Sequence, residues 1–286
     1  MADPTYGANT GADDASTGPA TVALPSGLSL GHGILVSVWT KDVAATHAEP
    51  VCDAVSTFVQ VGTDYQVGTD SRFTLWLGQI DDAGATGDIT SALTGNGSSD
   101  DWYVQAIRIA CDAGDILSVS DWDAGDETSG DPVNLSLTAV ADDMFAGFGF
   151  RLNDTAGFTF SVESITEVFD SGDHASGYEN NVAVGAYTPR LSFADNTYFG
   201  FFGVLITSTP GATIEQAAYR VYDDDDNPDD ATALAAEDTA VTGRATETTT
   251  LVRVLLEATG NPAAVGFKLQ VNRSGDAAAL YEDVGT

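Results

Sequence analysis

Apolar residues in this chain gather in short runs that either alternate with polar ones or stand unbroken for six or seven positions. They rarely take the three-and-four spacing of a helix face. Ile34-Leu35-Val36-Ser37-Val38-Trp39-Thr40, bounded by Gly33 and Lys41, reads as a buried strand, and Arg72-Phe73-Thr74-Leu75-Trp76-Leu77 alternates with period two. Shorter strands are predicted at Thr21 to Leu24, before the Pro25-Ser26-Gly27 turn, and at Thr57 to Val61. Asp101 to Ala110, with Val104, Ala106 and Ile109, suits a half-buried antiparallel strand. The order then repeats. Val133 to Val140, Met144 to Leu152, Ser164 to Phe169, Asn181 to Tyr187 and Asn196 to Ile206 replay short, long apolar, short, tyrosine-bearing and long aromatic strands. Each half alone has open edges and half a core. Two facing halves predict an all-β body, a jelly-roll two-sheet sandwich over residues 19–209 with its apolar faces about 10 Å apart. Residues 1–18 are Gly, Ala, Thr and Asp without an apolar pattern and read as a flexible N-terminal arm. After the break at Ser208-Thr209-Pro210-Gly211, residues 212–286 carry strand patterns that predict a small β-sandwich module.

Charge changes the picture. Forty-three acidic residues oppose ten basic ones, giving a net charge of -33, and the acids are 33 Asp to 10 Glu with only Lys41 and Lys268 as lysines. Such a balance alone would suggest disorder, yet 43% of the chain is apolar. A folded chain with this self-repulsion needs screening, and at molar salt the Debye length falls to about 3 Å. The composition therefore points to brine. It also excludes a nucleic-acid partner, because phosphate contacts need Lys and Arg clusters. No stretch approaches the roughly 20 apolar residues of a membrane-spanning helix. The Met1-Ala2-Asp3-Pro4 start lacks the basic and apolar regions of a secretion signal, so synthesis in the cytoplasm with reduced thiols is expected. Cys52 and Cys111 then read either as two separate thiols or as a pair brought together by neighbouring strands.

Candidate chemistry is sparse. His32, His47 and His174 lie in no His-Glu-x-x-His, and the chain has no Gly-x-Ser-x-Gly elbow and no phosphate-cradling glycine loop. Asp173 and Ser176 flank His174, but a triad is assembled in space rather than from neighbours in sequence, so no enzyme is predicted. The run Asp223 to Asp230 invites a calcium reading through Asp223, Asp225 and Asp226. It contains a proline and lacks the spaced glutamate of a calcium loop, so a solvated turn competes with it. Weak Mg²⁺ or Ca²⁺ binding at other Asp-rich loops, Asp121-Trp122-Asp123 with Asp126-Glu127 and Asp112 with Asp115, competes with a merely hydrated surface and is the only cofactor expectation. Trp39, Trp76 and Trp102 fall in strand patterns and read as core. Trp122, between Asp121 and Asp123 in a Gly-Asp-rich stretch, reads as a loop residue. It is either a stacking platform for a sugar whose hydroxyls bond the two carboxylates, or a side chain tucked over the sandwich edge or into a subunit interface. Asn-x-Ser/Thr sequons begin at Asn96, Asn134, Asn153 and Asn272 and carry little weight in a Ser/Thr-rich chain.

Two stretches resemble known proteins. The Pro25-Ser26-Gly27 turn, the run Ile34 to Trp39 and the closing runs around Trp102-Tyr103 and Tyr198-Phe199-Gly200 resemble jelly-roll proteins encoded in the structural modules of tailed phages. The C-terminal quarter runs through Ile214-Glu215-Gln216-Ala217-Ala218-Tyr219-Arg220, an acidic turn from Asp223 to Asp226, Leu234-Ala235-Ala236-Glu237-Asp238, Leu251-Val252-Arg253-Val254 and Ala258-Thr259-Gly260-Asn261-Pro262. It resembles a short β-module of phage virion proteins, departing from it in its longer Asp run and in the missing aromatic before Ala235. The resemblance implies a virion structural protein, and the acid excess adds a haloarchaeal host. The expectation is a turret or capsid-decoration protein that is a homo-oligomer (trimer or pentamer), touches other virion proteins and engages host-surface glycans. A tail fibre or baseplate appendage is the alternative within that class, and a cellular carbohydrate-binding surface protein the alternative outside it.

Overall fold

The computed structural model describes residues 3–13, 19–41, 46–68, 71–94, 102–127, 131–151, 157–161, 164–170, 174–193, 199–211, 213–223, 233–239, 250–259, 270–271 and 282–283. The chain divides into two units, Met1–Pro210 and Gly211–Thr286, and the described residues contain strands and no helix. The first half of the large unit runs β1 (Thr5–Asp13), β2 (Ala20–Ala23), β3 (Gly33–Thr40), β4 (Thr46–His47), β5 (Phe58–Val67), β6 (Ser71–Gln79), β7 (Asp88–Ser91), β8 (Leu93–Thr94) and β9 (Trp102–Ala110). The second half runs β10 (Ile116–Glu127), β11 (Val133–Asn134), β12 (Leu137–Ala139), β13 (Asp143–Arg151), β14 (Phe158–Ser161), β15 (Thr166–Asp170), β16 (His174–Val182), β17 (Gly185–Tyr187), β18 (Arg190–Phe193) and β19 (Phe199–Thr209).

Both halves are wired alike. The long strands of the first form an antiparallel five-stranded sheet in the order β1-β9-β3-β6-β5, and those of the second take the order β10-β19-β13-β16-β15. In each, the closing strand returns to lie beside the opening one, as a Greek-key path requires. The two sheets face one another across a core of Leu35, Phe73, Leu75 and Ile107 from one side and Met144, Phe148, Phe202 and Val204 from the other. Phe73 stacks on Phe150 with ring centroids 4.6 Å apart.

The expected all-β body with two facing sheets is present, and it gains one feature: each large sheet also carries small sheets on its outer face. The β2-β7 pair covers Ile34, Val36 and Val38, while β11-β18-β14 and β12-β17 cover Phe145, Phe199 and Phe201. This second covering is why β3 is buried at every position and why its sequence is a continuous apolar run rather than an alternating one. In β13 and β19 the outer layer presses so closely that bulk is excluded. A Cβ at Gly149 would stand 2.6 Å from the Leu191 side chain, and one at Gly203 2.5 Å from that of Leu135.

Three expectations change. Thr5–Asp13 is no arm: it is β1, paired antiparallel with β9 from Thr5↔Ala110 to Asp13↔Tyr103. The Gly-Asp stretch around Trp122 is no loop but β10, paired along its length with β19. Val133 to Val140, expected as one strand, breaks into the two short outer strands β11 and β12.

In the smaller unit, β20 (Thr213–Asp223) pairs antiparallel with β21 (Thr250–Thr259), and β22 (Gln270–Val271) with β23 (Glu282–Asp283). The stretch Ala233 to Asp238 runs along β20. Leu234 N–H donates to Val221 O at 2.9 Å, Asp238 Oδ1 accepts from Tyr219 N–H at 2.9 Å, and Arg220 Nε donates to Ala235 O at 3.3 Å.

Candidate functional site

Trp122 projects inward from β10, the edge strand of the second sheet. Its register partner is Val204, so it shares the inner face with Val204 and Phe202. The indole lies parallel to the Phe202 ring, with centroids 5.5 Å apart. From the opposite sheet comes Gly62 of β5. A Cβ there would be 2.5, 2.6 and 2.7 Å from three atoms of the six-membered ring, near-equal distances that place Gly62 over the ring's face. The indole is thus wedged between its own sheet and the facing one, and 36% of the residue remains exposed. The ring face beneath Gly62 is closed to a sugar.

The flanking carboxylates do not help a sugar either. Alternation along β10 turns Asp121 and Asp123 to the side away from Trp122, where they fasten the outer strand β12 to this sheet edge. Asp121 Oδ2 accepts from Thr138 N–H at 2.7 Å and Asp123 Oδ2 from Ser136 N–H at 2.7 Å, while their Oδ1 atoms take the N–H groups of Trp122 and Ala124. Trp122, Asp121 and Asp123 therefore form no single site, and the wedge is the role the geometry gives the ring. Trp122→Ala is expected to cost about 3 kcal/mol, the low end for a large aromatic truncation because a third of the residue is already exposed. A denaturant midpoint shift of under 0.5 kcal/mol would contradict the wedge.

Beside the indole, the margin between β5 and β10 opens into a cleft of about 530 Å³. Val59, Val61, Leu77, Leu117, Val119 and Trp122 supply its apolar walls, and Thr57, Gln60, Gln79 and Ser118 its polar atoms. Both bounding strands are bulged at this level. Pairing of β5 slips between Val61 and Tyr65, with Gly62 at φ 66°, and pairing of β10 slips between Val119 and Asp121. Bulges bend and splay edge strands, which holds the margin open. Sequence reasoning missed Val61, Leu77 and Val119: the first two read simply as parts of strands, and Val119 fell in no predicted strand. Only an alignment of the two halves would have singled them out.

The remaining candidates lie apart. His174 is fully buried between the sheets, its Nε2 3.1 Å from Gln105 Oε1 and its ring stacked on Tyr103 at 4.4 Å. Ser176 Oγ accepts from Gln105 Nε2 at 2.8 Å. Burial holds the His174 imidazole neutral, its pKa lowered to about 3. His47 is likewise buried, with Nδ1 2.6 Å from Thr74 Oγ1 and a pKa lowered to about 3 by desolvation and by the charge of Arg72. Its partners come from β4 and β6 and the His174 group from β9 and β16, so no two histidines share a site. His32 sits near the surface, Nδ1 3.2 Å from Arg108 Nη1.

Cys52 and Cys111 are separate free thiols. Cys52 packs under the outer sheet of the first half and Cys111 in the core between the large sheets. Cys111 Sγ donates to Gly31 O at 3.0 Å, and burial pushes its pKa up to about 11. Of the predicted calcium ligands, Asp223 ends β20, and Asp225 and Asp226 fall outside the described residues. Among the described residues, no three His, Cys, Asp or Glu side chains are grouped to hold a metal ion, and no helix is long and apolar enough to cross a membrane. No known protein family, curated protein or solved structure matches the chain.

Proposed function

We propose that the chain is a structural protein of a virion surface, a capsid turret or decoration protein of a tailed virus whose archaeal host lives in brine. The observation that supports this most directly is the duplicated body. In each half the closing strand lies between the opening strand and the next long one, and an early short strand pairs with a late one, β2 with β7 and β11 with β18, a path we read as two Greek keys. Each half is therefore read as a jelly roll, a unit common in capsid proteins. The tandem pair is built for rigidity. Its inner and outer faces are filled with aromatic and branched side chains, and Gln105 bonds Ser176 across the sheets.

On this reading the body is repeated about a symmetry axis of the particle as a trimer or pentamer, with other virion proteins as neighbours. The carboxylates beside Trp122 serve the fold, so glycan attachment through that residue is not part of the proposal. Quantitative mass spectrometry of purified virions tests it. The chain should be present in a fixed ratio to the major capsid protein, and antibody-gold should label heads. Absence from purified particles ends the structural reading, while labelling confined to tails moves the protein to a fibre or baseplate.

A further inference from the structure

The shared wiring of the two halves allows them to be laid on one another strand for strand: β1 on β10, β9 on β19, β3 on β13, β6 on β16 and β5 on β15. The bulges fix the register. On β1 the pairing slips just after Tyr6, which faces Ile109. On β10 it slips just after Val119, which faces Ile206. Gly33 and Met144 face the same two isoleucines from the other side, so the alignment carries across each sheet. Stepping through the next pairings, Leu35↔Leu77 and Ala146↔Tyr178, matches Leu77 with Tyr178. Two residues further, Leu75↔Val61 and Ser176↔Phe169 match Val61 with Phe169.

Because the halves face each other, the margin between β5 and β10 corresponds to the margin between β15 and β1. The latter is filled from within. Tyr6 and Tyr178 stack at 4.2 Å and 10°, and Phe169 packs on Tyr103 at 5.4 Å. At the β5/β10 margin the same three positions hold Val119, Leu77 and Val61, and all three line the cleft. The cleft lies where three aromatic rings sit in the other half. Its volume falls in the range of small-ligand pockets, and no charged side chain lines it. Around it the surface is acidic, with Asp64 bonded to Gln60 and Asp126 to Tyr65, which disfavours an anion. An aliphatic chain would fit a narrow tube better than a slot whose counterpart holds stacked phenols.

We propose that the cleft between β5 and β10 binds a small uncharged aromatic molecule, with one or two rings lying where Tyr6, Tyr178 and Phe169 lie at the opposite margin. Trp122 closes one end and lies within energy-transfer range of whatever enters. The test is a titration of the full chain in molar KCl with N-phenyl-1-naphthylamine, an uncharged probe that fluoresces in apolar sites. It is followed by competition with p-cresol, the side-chain analogue of tyrosine, and with n-octanol. The expected result is saturable probe fluorescence excited through tryptophan, displaced by p-cresol at lower concentration than by n-octanol. Val119→Tyr and Val61→Phe, which restore the rings of the other margin, should weaken probe binding at least tenfold and leave the thermal midpoint unchanged or raised. If the wild-type chain shows no saturable binding, or either folded variant binds like wild type, the site is lost. If n-octanol competes better than p-cresol, the aromatic assignment is overturned.

Discussion

Moved from molar KCl to dilute buffer at neutral pH, the protein is expected to lose its cooperative fold and to regain it when salt is restored. Ten basic residues can neutralise at most ten of the 43 acids, and the described ion pair, Arg72 with Asp64 at 3.4 Å, is a local exception on an anionic surface. At about 0.1 M salt the Debye length is roughly 10 Å, long enough for each surface carboxylate to sense several neighbours. At 1 M it is about 3 Å and they are nearly independent. Folding brings these charges together, so their repulsion subtracts from a net stability of only about 5 to 15 kcal/mol. Circular dichroism and tryptophan fluorescence followed against KCl concentration should show one transition, with potassium and sodium chloride interchangeable. A chain that stays folded in 50 mM buffer without divalent ions would refute the brine reading.

The structure also shows that the acids are not only a hydrated shell. Asp81, Asp82, Asp121, Asp123, Asp143 and Asp238 each accept a backbone N–H near their own turn or sheet edge, as do Glu49 and Glu179. A short side chain reaches such an amide with little rotamer freedom to lose, a physical reason for Asp to outnumber Glu here. Screening acts on the repulsion between distant charges and leaves these short contacts largely intact.

What the residue pattern revealed was the centre of each sheet. Ile34 to Trp39, Met144 to Phe150 and Phe199 to Ile206 form β3, β13 and β19, which are covered on both faces and therefore read as apolar runs. The edges were hidden for a reason visible in β10. Leu117 and Val119 alternate correctly, but the bulge before Asp121 shifts the parity, so Trp122 and Ala124 point inward from even positions and the strand reads as a polar loop. In β1 the small residues between Tyr6 and Asp13 gave no pattern, because among the side chains described there only Tyr6 packs against the inner core. The cleft was illegible for a related reason. Val61, Leu77 and Val119 are ordinary core residues until set against the rings that occupy the same positions at the other margin. Trp122 was legible as something unusual, but its orientation was not, since that depends on the register of β10 against β19.

Acid is expected to unfold the protein between about pH 6 and pH 4 even in molar salt, through two histidines. Laid on the other half, His174 corresponds to Phe73 and Gln105 to Phe202, so a buried polar pair stands where the opposite margin has an aromatic contact, Phe73 to Phe202 at 5.1 Å. Tyr103, Phe148 and Phe169 surround the imidazole and Gln105 bonds it, so the ring is held away from water. His47 faces Thr74 and the positive charge of Arg72. Both folded-state pKa values are lowered to about 3, against about 6.5 in an unfolded chain. Between those values the unfolded state binds protons that the folded state refuses, so stability is intact above pH 6.5 and falls as the pH drops toward 3. Each histidine contributes a slope of about 1.4 kcal/mol per pH unit, so two units of acidification remove roughly 5 kcal/mol. Burial raises the pKa of Asp143 and Glu167, which acts in the opposite direction and limits the loss. Urea midpoints taken from pH 7.5 to 4 in 3 M KCl should fall steeply below pH 6. The His174→Gln, His47→Gln double variant, though less stable at pH 7.5, should show a much shallower fall. Parallel curves for the two proteins would mean that the histidines are not the source of the acid sensitivity.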